Sequence, residues 1–346
     1  MIIATTDDAY AQKLKQIGAT IYPINYVRGG LSLFNDFRTL FSIFFLLREH
    51  RPVLIHNFNA KPMIFNSLMA KISRSRVTIV NTVTGVGMAF YNSRLIKFLG
   101  SLGYRFLKSS SHSIIFQNHD DFDFFIKNGW AHKEQATVIL GSGVDTDLFQ
   151  PSSHTSSGPN IKVLLVTRLL KHKGVEDFIA AATEIQKSHK NVHFLLGGEF
   201  DAKHPDSIPQ SLIDSAVNSG AIQYLGYVDN FNEVLQDTDI FLFPSFYREG
   251  LPRVILEAAS SGIPVVAADN VGTREAVRHG KTGFLFEPRN IQQMCEYIVL
   301  LAEDSKLRET IGQSARQLAV DAFDIRDITK QQLDVYKRLG LDIVYE

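Results

Sequence analysis

The chain has 346 residues, 45% of them hydrophobic, enough to fill the cores of two ordinary domains. Its 36 Lys and Arg balance 36 Asp and Glu, while a single cysteine, Cys295, excludes an internal disulfide, and no Cys/His spacing resembles a zinc site. This usage fits a reducing, cytoplasmic or cytoplasm-facing compartment. The charge is unevenly spread: residues 1–112 hold 14 Lys and Arg against four acids, Asp7, Asp8, Asp36 and Glu49. Such an excess suits either a surface facing an anionic partner or a scattered, solvated one.

In chain order, short β-rich runs alternate with helical patterns. MIIATT precedes DDAYAQKLKQIG, and its start lacks the basic n-region of a signal peptide. ATIYPI precedes FNDFRTLFSIFFLLREH, whose apolar run Leu40–Leu47 is far short of the roughly 20 residues that span a bilayer and predicts a buried helix. VLIHNF and KPMIFNSLMAKISR follow, then VTIVNTV and the stretch NSRLIKFLGSLGYRFLKSS, residues 92–110. There Arg94, Lys97, Arg105 and Lys108 interleave with Leu95, Phe98, Leu99, Leu102 and Phe106, a pattern that suits a helix on an acidic lipid surface and a core-facing helix equally. SIIFQN, DDFDFFIKNG and TVIL complete the first series.

PSSHTSSGPN, residues 151–160, has linker composition and sets the domain boundary. A second series follows: IKVLLVT, VEDFIAAATEIQKSH, VHFLLGG, IPQSLIDSAVNSG, IQYLGY, FNEVLQDTD, IFLFPS, a helix after Leu251, PVVAAD, TREAVRHG, TGFLF and a helix from Ile291. Strand, helix, strand in this rhythm predicts an α/β chain of two Rossmann-like domains facing across a cleft, with ligands at the strand C-terminal ends. The predicted division is residues 1–150, a linker over 151–160, 161–325, and a last helix over 326–346 returning to the first domain.

REGLPRVILEA, residues 248–258, is the most informative stretch. It leaves the end of the buried strand IFLFPS, and Pro252 falls where the first residue of a helix would be. The first N–H groups of such a helix, near Gly250 and Leu251, favour a phosphate. Glu249 beside that anion needs an uncharged hydrogen-bond donor, and sugar hydroxyls fit. Glu257 lies about one and a half turns further in, among apolar neighbours, and needs a partner if buried; a ribose diol is a good one. Sugar, diphosphate and ribose in a row describe a nucleotide-sugar.

With these residues in hand, the chain resembles the retaining glycosyltransferases of family 4, of GT-B fold, over essentially its whole length. EGLPRVILE is similar to that family's two glutamates separated by seven residues, and LLVTRLLKHKGVEDFIAAA to a second block whose Arg and Lys, here Arg168 and Lys173, grip the donor diphosphate. The resemblance implies Glu257 on the ribose, Glu249 on the sugar, Gly198 and Glu199 of FLLGGE close to the nucleotide, and Tyr227 of YLGYV near the base. FQNHDD, LGSGVD and NTVTGVG resemble the subgroup that extends polyprenyl-diphosphate-linked sugars in capsule, O-antigen or protein-glycan assembly. This implies a UDP-hexose or UDP-N-acetylhexosamine donor, a lipid-diphosphate-linked saccharide acceptor, no cofactor, no metal, no nucleic acid, and a peripheral place on the inner face of the cytoplasmic membrane.

On the acceptor side, Gly85 and Gly87 suit a loop pressed against substrate. His56 leaves the end of VLIH, where a cleft-lining and a structural histidine fit equally. Relatives open with a further strand and helix before the strand that MIIATT resembles, so the first-domain sheet is expected to lack its central strand. Two other functions share these features: a GT-B nucleotide-sugar epimerase, which needs no acceptor, and a nucleotide-binding remnant that does not turn over.

Overall fold

The computed structural model describes residues 2–5, 9–24, 26, 32–86, 94–152, 159–201 and 204–342. The chain forms two compact units, Met1–Val138 with Val335–Glu346, and Ile139–Asp334.

The first unit runs β1 (Ile2–Thr5), α1 (Ala9–Gln16), β2 (Thr20–Pro23), α2 (Leu33–His50), β3 (Leu54–Phe58), α3 (Ala60–Ile72), β4 (Thr78–Val83), α4 (Arg94–Ser110), β5 (Ser113–Phe116), α5 (His119–Lys127) and β6 (Ala136–Val138). Every strand pair is parallel. The expected interruption is present: β3, β4, β5 and β6 form one sheet, and β1 pairs only with β2 among the described residues. Strand β3 is therefore an edge and is half-buried over most of its length, whereas β5 is buried throughout.

A chain of amides ties this edge to the interior. Asn57 and Asn81 face one another in register, and the Asn57 side-chain amide donates to Asn81 at 2.8 Å. Asn66 of α3 donates to Asn57 at 2.6 Å, and Asn81 donates to Ser111 at 2.7 Å. Each buried amide thereby recovers in protein the hydrogen bonds it lost from water.

Helix α2 departs from the buried helix predicted for its apolar run. Only Asp36, Thr39, Ile43 and Leu47 are buried, and these line a single face. Ile43 and Leu47 join the core that Met69, Val77 and Ile79 complete, while Asp36 is held by Lys61 at 2.8 Å. Continuous hydrophobicity concealed which side faces in, because a helix has only one side toward its sheet.

The second unit contains β7 (Ile161–Val166), α6 (Val175–Ile185), β8 (Val192–Gly197), α7 (Gln210–Asn218), β9 (Gln223–Gly226), α8 (Phe231–Gln236), β10 (Ile240–Phe243), α9 (Arg253–Ser260), β11 (Val265–Ala268), α10 (Thr273–Ala276), β12 (Gly283–Phe286), α11 (Ile291–Glu303) and α12 (Ser305–Phe323). Helix α13 (Ile325–Arg338) begins in this unit, and its residues from Val335 onward group with the first. The six strands form one parallel sheet in the order β12-β11-β10-β7-β8-β9. After β7 the chain winds outward through β8 and β9, then returns to place β10 on the other side of β7. Such a reversal opens a crevice between the two strands' C-terminal ends, the usual ligand site of an open parallel sheet.

The units divide at Val138 and Ile139, ahead of the 151–160 segment that composition marks as a linker. Val144 and Phe149 lie in the core of the second unit, and Val144 bridges to Asp324, which fixes the intervening residues there.

Candidate active site

The two strands flanking the reversal carry the two blocks singled out in the sequence. Past β7, a 3-10 turn over Lys171–Lys173 ends at Gly174, whose φ of 77° is left-handed. A Cβ on Gly174 would lie 2.4 Å from the Pro244 carbonyl oxygen, so glycine is required for the two loops to approach. The Phe246 N–H donates to the His172 carbonyl at 3.1 Å, closing the contact.

That approach brings Lys173 and Glu249 together. Their side chains form an ion pair, both largely buried, and the Ser245 hydroxyl donates to the same Glu249 oxygen at 3.4 Å. The ammonium also sits 5.2 Å from the Tyr247 ring centre. Asn270 holds the loop from the far side by donating to the Tyr247 carbonyl at 2.8 Å. The positive charge at this strand end is thus balanced by the carboxylate across it.

His172, which the sequence reading passed over, is buried beside Lys173. Its ring lies 4.9 Å from Tyr247 and 5.9 Å from His204. Its Nδ1 is 3.4 Å from the Asp206 carboxylate, without hydrogen-bond geometry. Burial, then Lys173, pushes its imidazole below the ordinary range. Arg168 stands exposed on the otherwise largely buried loop after β7 and adds to the same positive field.

Helix α9 starts at Arg253, with Pro252 as its N-cap at φ −69° and ψ 116°, an extended backbone one position ahead of the predicted one. Gly250 and Leu251 are buried, Leu251 in the core beneath the helix. Glu257 is 8% exposed, and its partner in the chain is Arg253, one turn earlier, at 2.9 Å. Burial raises the Glu257 carboxyl above the usual range and Arg253 opposes the rise. Arg253 is itself half exposed, so a ligand can compete for Glu257.

On the other side of β7, Gly198 directly follows β8, with its N–H donating to the Gly226 carbonyl at 2.8 Å and its carbonyl accepting from the Tyr224 hydroxyl at 2.7 Å. A Cβ there would lie 1.9 Å from the Thr167 carbonyl oxygen. Glu199 and Tyr227 follow as exposed residues at the ends of β8 and β9. Arg168, Lys173, Gly198, Glu199, Tyr227 and Glu249 therefore share one edge of one sheet. Among the described residues no three His, Cys, Asp or Glu side chains group to hold a metal ion.

Residues 148–318, which contain this whole arrangement, match the model of the glycosyl transferases group 1. The chain carries a glycosyl transferases group 1 domain and is a glycosyltransferase. It is 28% identical, over 98% of its length and 91% of the relative's, to N,N'-diacetylbacillosaminyl-diphospho-undecaprenol alpha-1,3-N-acetylgalactosaminyltransferase of Campylobacter jejuni. It is 24% identical, over 91% of its length and 81% of the relative's, to UDP-Gal:alpha-D-GlcNAc-diphosphoundecaprenol alpha-1,3-galactosyltransferase of Escherichia coli. Among solved structures, Alr3699/HepE of Anabaena in complex with UDP-glucose superimposes with a TM-score of 0.80 at 22% identity, covering 98% of this chain and 91% of that one.

In the first unit of this glycosyltransferase, His56 has both ring nitrogens engaged, Nδ1 with the Tyr336 hydroxyl at 2.5 Å and Nε2 with the Thr82 hydroxyl at 2.7 Å. Burial lowers its imidazole to about 4. Gly85 follows β4 with φ at 110°, and Gly87 lies outside the described residues. Thr84 donates to Asn59 at 2.6 Å, which steadies Asn59 at a left-handed φ of 69°.

Proposed function

We propose that this glycosyltransferase moves a hexose or N-acetylhexosamine, with retention, from a UDP-sugar to a lipid-diphosphate-linked saccharide in surface polysaccharide or glycan assembly. The observation that carries the reading is the meeting of Lys173 and Glu249 at the crevice between β7 and β10. A diphosphate entering there would take Lys173 from Glu249 and free the carboxylate for sugar hydroxyls. Arg168 would supply the second cation, and Glu257 would exchange part of its contact with Arg253 for the ribose diol. No side chain in this arrangement is offered as a covalent nucleophile. The acceptor hydroxyl attacks the anomeric carbon on the face that UDP leaves and passes its proton to the departing diphosphate, while Arg168 and Lys173 stabilise that UDP, whose charge grows as the glycosidic bond breaks.

The class of donor and acceptor is supported by the two bacterial relatives, whose names specify diphospho-undecaprenol acceptors, and by the UDP-glucose bound to the Anabaena protein. A peripheral position at a membrane follows from such an acceptor. No helix among the described residues is long and apolar enough to cross one.

The reading is tested by calorimetric titration with UDP, GDP and ADP of the natural chain and of Glu257→Ala. UDP is expected to bind preferentially, and the substitution to weaken it by about tenfold to a hundredfold through loss of a hydrogen-bonded carboxylate. Equal affinity for all three nucleotides, or none, would overturn the donor assignment.

A further inference from the structure

Helix α2 presents an apolar face to solvent. Leu33 is 89% exposed, Phe34 81%, Phe37 69%, Phe41 57% and Phe45 52%. At 100° per residue these five side chains fall within about 120° of arc, on the side away from the buried Asp36, Thr39, Ile43 and Leu47. Phe41 and Phe45 stack edge to face at 4.8 Å, and Leu33, Phe34 and Phe37 extend the same side of the helix toward its start. A contiguous aromatic ridge is a costly surface to leave in water and marks an interaction site.

The neighbouring surface indicates what covers it. Exposed Arg38 and Arg48 border the ridge, and helix α3 contacts both α2 and α4. On α4, Phe98 is 61% and Leu102 50% exposed, with exposed Arg105 beside them. Residues 33–110 carry only two acids, Asp36 and Glu49, and Asp36 is already spent on Lys61. Two copies meeting through this face would bring like charges together, whereas an anionic bilayer offers both an apolar interior for the rings and negative headgroups for the arginines.

We infer that the outer face of α2, extended by α4, is the surface through which the first unit lies on an anionic lipid bilayer. The rings enter the headgroup and acyl boundary without crossing it, and Arg38, Arg48 and Arg105 remain at headgroup level. This deepens the acceptor reading above, because an enzyme whose acceptor is embedded in lipid gains by holding its acceptor-side unit at that surface.

The test is sedimentation with vesicles of phosphatidylethanolamine and phosphatidylglycerol, with pure phosphatidylcholine vesicles as the uncharged comparison. The natural chain is expected to partition onto the anionic vesicles, and raised salt should weaken it. Combined Phe34→Gln, Phe37→Gln and Phe41→Gln should cut partitioning by at least about tenfold, while the three Leu substitutions retain most of it. A Phe37→Trp variant should shift its emission to the blue on anionic vesicles, a signal that needs no loss of binding. Unchanged partitioning of the Gln variant, or no blue shift, would overturn the inference. So would a natural dimer that the Gln substitutions convert to monomer with no change in vesicle binding, which would make a second copy the occupant. UDP titration of the same variants separates the two readings. Vesicle binding through the ridge without UDP binding would sink the donor reading alone, and UDP binding with ridge-independent vesicle binding would sink this one alone.

Discussion

The two units solve the same parallel-sheet problem with different resources. In the second, strands β10 and β11 are buried along their whole length in an unbroken six-stranded sheet. In the first, the sheet is split into two and four strands, β3 is half-buried, and side-chain amides do work that apolar packing does elsewhere. A continuous apolar sheet can carry functional residues on its loops while its stability comes from below. An interrupted one draws stability from a few directional bonds, so single substitutions should matter more to its integrity.

Lys173→Ala sharpens the contrast most. It should lower turnover by about 10²–10³-fold, the usual cost of one group that stabilises transition-state charge, while the fold of the second unit stays intact. Turnover within a factor of a few of the natural chain would remove Lys173 from the mechanism. Asn81→Ala is the counterpart in the first unit. It strands the Asn57 amide and should cost about 1–3 kcal/mol, seen as faster hydrogen exchange across β3 and β4 with UDP affinity unchanged. Uniform exchange rates in both units would contradict the contrast.

Glu249→Gln should act in opposite directions on binding and chemistry. Removing the carboxylate releases Lys173, so UDP should bind about threefold to tenfold more tightly while transfer slows. Weaker UDP binding would mean that the pair organises the site instead of blocking it. The smallest effect belongs to His56. With its imidazole at about 4 in the fold and 6.5 when free, the unfolded chain binds a proton that the folded one refuses. Its contribution to stability is complete above pH 6.5 and is lost as pH falls toward 4. His56→Gln should flatten that part of the melting profile for the first unit, and an unaltered pH profile would assign the acid sensitivity elsewhere.

The strand and helix rhythm was legible because alternating apolar runs and glycine turns are local signals, and REGLPRVILEA exposed both glutamates for the same reason. What escaped was every relation between distant positions. Lys173 and Glu249 are 76 residues apart, and His56 and Tyr336 are 280 apart. Asp206 carries no mark in the sequence that ties it to His172. Arg253 is only four residues from Glu257, a spacing that sets cation and carboxylate one turn apart on the same helix face, but the apolar residues between them mask it in the sequence. The α2 ridge was missed because a run such as LFSIFFLL says that a helix is apolar without saying how much of it finds protein to touch.

The facing pair Asn57 and Asn81 has one more effect, on the way the chain reaches this structure. Parallel strands of similar hydrophobicity can pair in several alignments during collapse. Sliding β3 by one residue against β4 would turn the two amides away from each other and leave the Asn57 side-chain N–H and the Asn81 side-chain carbonyl without their shared bond in a water-poor interior, at about 1–3 kcal/mol each. The pair therefore favours the observed alignment over a slipped one at β3, which pairs on one side only among the described residues.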